Sequence, residues 1–261
     1  AYAADDGVYF DVSSFKDYGR LSGQKLDQIL HMVRHEMSSS KRNPEDFALW
    51  KFSNQDEEGW NYPWGRGRPG WHIEDTAITE EFLGDTYDIH GGGSDLVFPH
   101  HEGEIAIMRT LSGKSKLARY WMHAGMLNLA EKKMAKSTGN IIKLRDASDQ
   151  YGGNVLRLFF LGASYRSEQV FDESSVHAAG RNLEKIQAIY DRLKDKASFG
   201  GASVDVPSYR DKVVQAIDRD FDFRSGILVL LDFVTAINTV FHDLSANASD
   251  ECLNFLKEVD S

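Results

Sequence analysis

The sequence predicts an α/β fold followed by a helical region, and two patterns along the chain carry this prediction. Between residues 70 and 145, segments of helical and strand periodicity alternate, which is typical of a parallel sheet that binds ligands at the carboxyl ends of its strands. Beyond residue 150, apolar residues recur at three- and four-residue spacing, which predicts helices over 155–161, 177–196, 210–216 and 226–244. At 261 residues, the chain is long enough to bury a substantial core.

Charge and cysteine content exclude several classes of protein. The chain has 30 Lys and Arg against 40 Asp and Glu, and this net charge of −10 argues against broad nonspecific binding to nucleic acid. Its single cysteine, Cys252, excludes a disulfide framework and a cysteine-rich zinc site, and it predicts a reducing, cytoplasmic location. The apolar stretch 227–241 is too short to span a bilayer, so we expect no contact with a membrane.

The elements predicted within residues 1–66 are short. Residues 8–12 alternate in polarity as a strand does, and 24–37 carries apolar residues at helical spacing. The apolar run 47–52 fits a strand or a core segment, and a loop rich in aromatic residues, Pro and Gly follows at 60–70. Because few of these elements are long, the segment is typical of an insertion rather than a free domain.

The alternating region is predicted to contain two helices and two strands. A helix over 74–83 precedes a strand over 86–90, which runs into a tight turn of three glycines at 91–93. A second helix is predicted over 99–111, where Pro99 occupies the first turn and its missing N–H costs nothing. A strand-like run follows over 120–129.

The three glycines and the following acid form a candidate nucleotide site. Glycines let a ligand approach bare backbone, and Asp95 is placed to accept hydrogen bonds from a ribose. The alternative is a glycine-rich turn in which Asp95 caps the next helix. Short glycine motifs often occur by chance, so the glycines alone favour this alternative.

His100 and Glu104 form a candidate metal site. Four residues apart in a predicted helix, they project from one face, and an imidazole with a carboxylate in this relation is a common zinc half-site. A lone pair of this kind is more often an ordinary surface pair. The neighbouring His90, His101 and Glu102 strengthen the metal interpretation without deciding it.

The segment 131–140 is a candidate phosphate-binding loop. It carries three lysines among Ser, Thr and Gly, which suits a mobile cationic clamp for the transition state of phosphoryl or nucleotidyl transfer. A solvated basic loop without a ligand is the alternative, and most such loops are only that.

Four stretches together resemble cysteinyl-tRNA synthetase in their order and spacing. They are Gly-Arg-Pro-Gly-Trp-His-Ile-Glu at 67–74, the glycine- and histidine-rich stretch 88–104, Tyr-Trp-Met-His-x-Gly-Met at 120–126 and Lys-Met-Ala-Lys-Ser at 133–137. Residues 9–13 and 41–51 also match the family's connective segment, and 220–224 resembles the start of its helical domain. The resemblance covers nearly the whole chain.

This resemblance implies the second half of a Rossmann-like class I synthetase nucleotide-binding fold with a connective insertion, followed by a helical domain. The implied domains are a connective insertion at 1–66, the second catalytic half with the lysine loop at 67–150, a stem-contact-type helical segment at 151–204 and the start of a tRNA-binding helical bundle at 205–261. The implied activity is that of a cysteine–tRNA ligase, which activates L-cysteine with ATP and Mg²⁺ and transfers it to tRNA-Cys.

The resemblance also implies roles for individual residues. His100 and Glu104 fall on two zinc ligands, and in the family zinc binds the substrate thiolate and so discriminates cysteine from serine. Trp71 falls on the aromatic residue that lines the cysteine pocket. The implied ATP-binding residues are His90, Gly92, Gly93, Asp95, Met126 and Lys136, and the implied catalytic residues are Lys133 and Lys136.

The chain departs from the family pattern at several positions. Asp75 stands where the family has a zinc-binding Cys, which predicts a harder site that binds zinc weakly. Ala135 replaces a Ser in the lysine loop, and Gly103 replaces a usual Asn. The family's His-Ile-Gly-His motif does not occur in the sequence, so we expect an incomplete catalytic unit whose first half comes from an upstream segment or a separate chain.

Two other functions are compatible with these departures. One is a non-catalytic synthetase paralogue that acts as a tRNA- or protein-binding module. The other is a related ligase that joins cysteine to the amine of an amino sugar, because that enzyme shares the Trp-His-Ile-Glu and glycine-rich segments. The helices predicted after residue 205 favour the tRNA enzyme slightly.

Overall fold

The computed structural model describes residues 1–24, 40–114, 117–129, 132–133, 142–196 and 199–260. All but the first residue of the helix predicted over 24–37, and most of the lysine loop at 131–140, lie outside the described residues. The chain divides into two compact units, residues 1–124 and 125–261. The four-domain division implied by the resemblance remains a prediction.

The first unit opens with an antiparallel sheet of four strands. In spatial order these are β1 (Tyr2–Ala4), β2 (Gly7–Phe10), β3 (Phe47–Phe52) and β4 (Gly67–Pro69). The strands predicted near 8–12 and 47–52 are therefore confirmed. The sheet packs on an apolar core formed by Phe10, Val12, Tyr18, Phe47, Ala106 and Ile107.

A βαβ unit follows and confirms the predicted alternation. Helix α1 (Trp71–Leu83) precedes β5 (Tyr87–Gly93), and α2 (Glu102–Ser112) connects β5 to β6 (Ala118–Ala124). The two strands pair in parallel from Tyr87 opposite Ala118 to Gly93 opposite Ala124. Helix α1 ends at Gly84, whose φ of +81° is a backbone conformation that glycine adopts without strain.

Two details of this unit differ from the prediction. The three glycines do not form a tight turn but complete β5, where Gly92 pairs with His123 of β6. The second helix begins at Glu102 rather than Pro99, because a separate helical turn, Val97–His101, comes first and contains non-helical backbone at Phe98. His100 therefore belongs to this turn, and Glu104 to the first turn of α2.

The second unit is mostly helical, as the sequence predicts. A small sheet contains β7 (Leu127–Leu129), β8 (Lys132–Lys133) and β9 (Gln169–Phe171), with β7 between the other two. The helices are α3 (Leu144–Tyr151), α4 (Gly153–Leu161), α5 (Glu173–Lys194), α6 (Val206–Asp218), α7 (Phe223–Val240) and α8 (Ala246–Asp260). Helices α5, α6 and α7 each begin after an Asp whose carboxylate accepts a backbone N–H three residues on, which satisfies a donor of the first turn.

Helix α7 is longer than the apolar stretch seen in the sequence. The segment Phe223–Asp243 is long and apolar enough to cross a bilayer by length and composition alone, so the short length of 227–241 does not exclude a membrane span. The core helix of a soluble protein passes the same test, and the inward face of α7 packs in the core of the second unit, with Phe233 and Ile237 fully buried. The absence of membrane contact remains a prediction.

Candidate active site

Three potential metal ligands converge in the first unit. Asp75 comes from α1, His100 from the turn before α2, and Glu104 from α2 itself. Nε2 of His100 lies 2.9 Å from Oδ2 of Asp75 and 3.3 Å from Oε1 of Glu104, and one ligand atom of each residue lies within 4.8 Å of the others. The structure thus brings together all three residues that the sequence predicts as zinc ligands.

The burial of Glu104 indicates that this cluster suits a cation. Glu104 is 2% exposed, and its Oε2 accepts no hydrogen bond although Nε2 of His90 lies 3.2 Å away. A buried carboxylate without a full set of partners is costly, and a bound cation would offset that cost. Imidazole nitrogen and carboxylate oxygen are both zinc ligands, so Asp75, His100 and Glu104 fit zinc.

His100 is held from two sides. Burial lowers the pKa of its imidazole, but the hydrogen bonds and charges of Glu104 and Asp75 outweigh burial, so the pKa is raised overall. The indole of Trp71 stacks on the His100 ring with a centroid distance of 4.0 Å and an interplanar angle of 28°. Trp71 itself is 56% exposed, which leaves much of its surface available to a ligand beside the cluster.

His72 contacts His100 on the side opposite the carboxylates. The two Nδ1 atoms lie 2.7 Å apart, which is a hydrogen-bond distance. The His72 ring also meets Phe47 edge to face, with a centroid distance of 5.0 Å, and lies against Gly103. Burial, with smaller contributions from His100 and Lys51, lowers the pKa of His72 to about 4, so this imidazole is neutral at pH 7.

A second group of polar side chains shares Glu104 with the first. His90 and His101 each offer a nitrogen within 4.8 Å of a Glu104 oxygen. Nδ1 of His101 lies 2.8 Å from Nε2 of His123, and Nδ1 of His90 contacts the Tyr87 hydroxyl. Burial lowers the pKa of His90, and burial with the neighbouring histidines lowers that of His101 to about 3. Both rings are therefore neutral at pH 7 and act as hydrogen-bonding groups.

The predicted nucleotide-binding residues occupy different parts of the chain. Gly92 and Gly93 lie at the carboxyl end of β5, where a parallel sheet is expected to bind ligands, and Asp95 is exposed in the helical turn that follows. His90 is tied into the carboxylate–histidine cluster. Met126 belongs to the second unit, where its carbonyl accepts a hydrogen bond from the backbone N–H of Gln169.

The structure describes only one of the two predicted catalytic lysines. The backbone of Lys133 lies in β8, and Lys136 lies outside the described residues. Their roles, and those of the other predicted site residues, remain predictions.

Sequence reasoning missed some members of this site and misjudged one. His72, Tyr87 and His123 were not candidates, although His72 directly follows Trp71 and His123 lies in a stretch that resembles the family. Glu102, which the sequence groups with the metal candidates, is fully buried, and its Oε1 accepts hydrogen bonds from the N–H and hydroxyl of Ser22.

A family model described as the class I tRNA synthetase (C) catalytic domain matches residues 1–181. The chain belongs to this tRNA synthetase family. A curated relative in Thermoplasma volcanium, named cysteine–tRNA ligase, is 47% identical over 96% of this chain and 55% of its own length. Its namesake in Thermoplasma acidophilum is 44% identical over the whole chain and 58% of its own length.

This synthetase chain thus spans about half the length of the curated relatives it matches. Among solved structures, a Mycobacterium tuberculosis methionyl-tRNA synthetase in complex with methionyl-adenylate matches 95% of the chain and 56% of its own, with a TM-score of 0.59 at 14% identity. At that identity the match shows the fold alone, and it confirms the Rossmann-like class I synthetase fold. Neither alternative function suggested by the sequence is supported by these matches.

Proposed function

We propose that this chain is part of a cysteine–tRNA ligase, which activates L-cysteine with ATP and Mg²⁺ and transfers the cysteinyl group to tRNA-Cys. The observation that carries this proposal is the cluster of Asp75, His100 and Glu104 beneath the exposed indole of Trp71. Relatives named cysteine–tRNA ligase that are 44–47% identical support it. A cytoplasmic location belongs to the same proposal.

The cluster would recognise the amino-acid side chain. A zinc ion held by Asp75, His100 and Glu104 would supply a Lewis acid that prefers a thiolate to a neutral hydroxyl, and so would separate cysteine from serine. Trp71 would cover one side of that substrate. Because Asp75 provides a carboxylate oxygen instead of a thiolate, we expect zinc to bind weakly and to be removed by dialysis against a chelator.

The other predicted residues would bind the nucleotide. Gly92 and Gly93 lie at the carboxyl end of β5, the edge of a parallel sheet at which a nucleotide would be expected to bind. Asp95 would accept hydrogen bonds from the ribose hydroxyls. Lys133 and Lys136 would stabilise the charge that develops on the ATP phosphates during adenylation.

A chimera tests this proposal directly. In the Thermoplasma volcanium relative, the region that matches this chain is replaced by the chain itself, and cysteine-dependent ATP–pyrophosphate exchange is measured. We expect exchange with cysteine and none with serine, and we expect the Glu104→Gln chimera to lose it. A folded chimera without cysteine-dependent exchange would contradict the proposal.

The isolated 261-residue chain is a separate test. We expect it to show no cysteine-dependent exchange, since the His-Ile-Gly-His motif does not occur in its sequence. Exchange by the chain alone would contradict this expectation but would support the proposed reaction.

A further inference from the structure

One hydrogen bond joins the half-buried imidazole of His72 to the buried imidazole of His100. Their Nδ1 atoms are 2.7 Å apart, while Nε2 of His100 points to Asp75 and Glu104. Since both partners of the bond are imidazole nitrogens, one must donate and the other must accept. The position of the proton on this bond therefore decides which nitrogen of His100 is available to a metal.

The chemistry of a metal-bound histidine selects one arrangement. A neutral imidazole has one N–H and one lone pair, so a metal at Nε2 of His100 requires the proton at Nδ1. That N–H is buried and needs an acceptor, and the Nδ1 atom of His72 occupies the required position. The carboxylates of Asp75 and Glu104 lie at Nε2 of His100 and favour the opposite tautomer, in which Nε2 carries the proton and donates it to a carboxylate. A hydrogen-bond acceptor at Nδ1 is therefore needed to stabilise the tautomer that carries its proton at Nδ1.

Gly103 provides the space that brings the two rings together. A Cβ atom at this position would lie 2.9 Å from both Cγ and Cδ2 of His72, atoms at the base of the ring that cannot move away freely. The ring is also fixed by its edge-to-face contact with Phe47.

We propose that His72 is a positioning residue for the metal site: its Nδ1 accepts the Nδ1–H hydrogen bond of His100 and so presents the Nε2 lone pair of His100 to zinc. The proposal rests on the zinc site of the proposed function. It extends that site by one residue, which acts through His100 and does not touch the metal.

Zinc affinity of the whole chain, measured by competition with a chromophoric chelator, tests the proposal. His72→Leu removes the acceptor, and we expect the dissociation constant for zinc to rise about 10- to 100-fold. His72→Asn keeps an acceptor oxygen near the position of Nδ1, and we expect affinity within about threefold of the unchanged chain. The matched control His242→Leu removes an exposed histidine of the second unit and should leave zinc affinity unchanged.

Gly103→Ala gives an independent variant that keeps His72 but displaces its ring. We expect weaker zinc binding, and this variant replaces His72→Leu if circular dichroism shows that the leucine variant does not fold. Wild-type affinity in both His72→Leu and Gly103→Ala would overturn the proposal. Equal losses in His72→Leu and His72→Asn would also overturn it, because they would show a packing role instead of an acceptor.

The same titrations separate this proposal from the one on which it rests. An unchanged chain that binds no zinc would refute both. Zinc binding by the unchanged chain together with full affinity in His72→Leu would refute the role of His72 alone.

Discussion

Adjacent glycines at the end of β5 are predicted to respond very differently to a methyl group. At Gly92, a Cβ would lie 2.8 Å from Cε1 and 3.0 Å from Nε2 of His101. At Gly91, the nearest atom would be the carbonyl oxygen of Met122 at 3.4 Å, an ordinary contact. Neither glycine has positive φ, so the two positions differ in space and not in backbone strain.

The expected magnitudes follow from these contacts. Gly92→Ala forces the buried His101 ring away from His123, and overpacking of this kind costs about 1–3 kcal/mol of unfolding free energy. Gly91→Ala meets no obstacle and restricts the unfolded chain, so it should be neutral or stabilise by up to about 1 kcal/mol. A glycine turn with positive φ would instead penalise alanine at both positions.

Tryptophan fluorescence during urea denaturation measures the change in unfolding free energy of the unit that contains the two glycines. All five tryptophans lie within residues 1–124, so the fluorescence change reports the unit that contains β5. The free energies of unfolding are compared between variants whose transitions have the same m-value, the slope of the free energy against urea concentration. A loss at Gly91→Ala as large as that at Gly92→Ala would refute the reasoning, because it would mean that the glycines are not extended strand residues.

Four further predictions concern the zinc site, the helical core and the lysine loop. Asp75→Cys should tighten zinc binding by about tenfold in chelator competition, since a thiolate replaces a harder carboxylate ligand. Zinc binding near pH 6.5 should release protons, because the pKa of His100 is raised and zinc displaces its proton; calorimetry in buffers of different ionisation enthalpy measures their number. Phe233→Ala should cost about 3–5 kcal/mol by circular dichroism in urea, whereas Leu228→Ala, at a 59% exposed position, should cost less than about 0.5 kcal/mol. Lys136→Ala in the chimera should slow pyrophosphate exchange by about 10²- to 10³-fold without loss of tRNA binding.

The sequence predicts the helices and strands well where one periodicity dominates. The strand at 47–52 is found with the predicted bounds, and the helix near 177–196 is found as Glu173–Lys194, with small shifts of its ends. The glycines at 91–93 are misassigned because glycine carries no periodic signal, and only pairing with β6 extends β5 through them. The late start of α2 has a similar origin, since the separate turn at Val97–His101 leaves no trace in the spacing of apolar residues.

Only part of the candidate site is predicted from the sequence, because local patterns mark some of its residues and not others. His100, Glu104 and Asp75 stand out because a family motif or a helical spacing marks them. His72 and His123 form hydrogen bonds with residues 28 and 22 positions away, and no local pattern indicates such a contact. The phosphate-binding role of the lysine loop stays a prediction, because most of the loop lies outside the described residues.

The protonation states of four neighbouring histidines favour a divalent cation in this cluster. His72, His90 and His101 are neutral at pH 7 because burial lowers the pKa of each. His100 alone faces both carboxylates, and its pKa is raised. With His100 protonated, the formal charges of Asp75, Glu104 and His100 sum to −1, in a site where His100 and Glu104 are buried and Asp75 is partly exposed. A divalent cation in place of that proton brings the sum to zero, so the site is balanced electrostatically by a metal ion and not by the proton that competes with it.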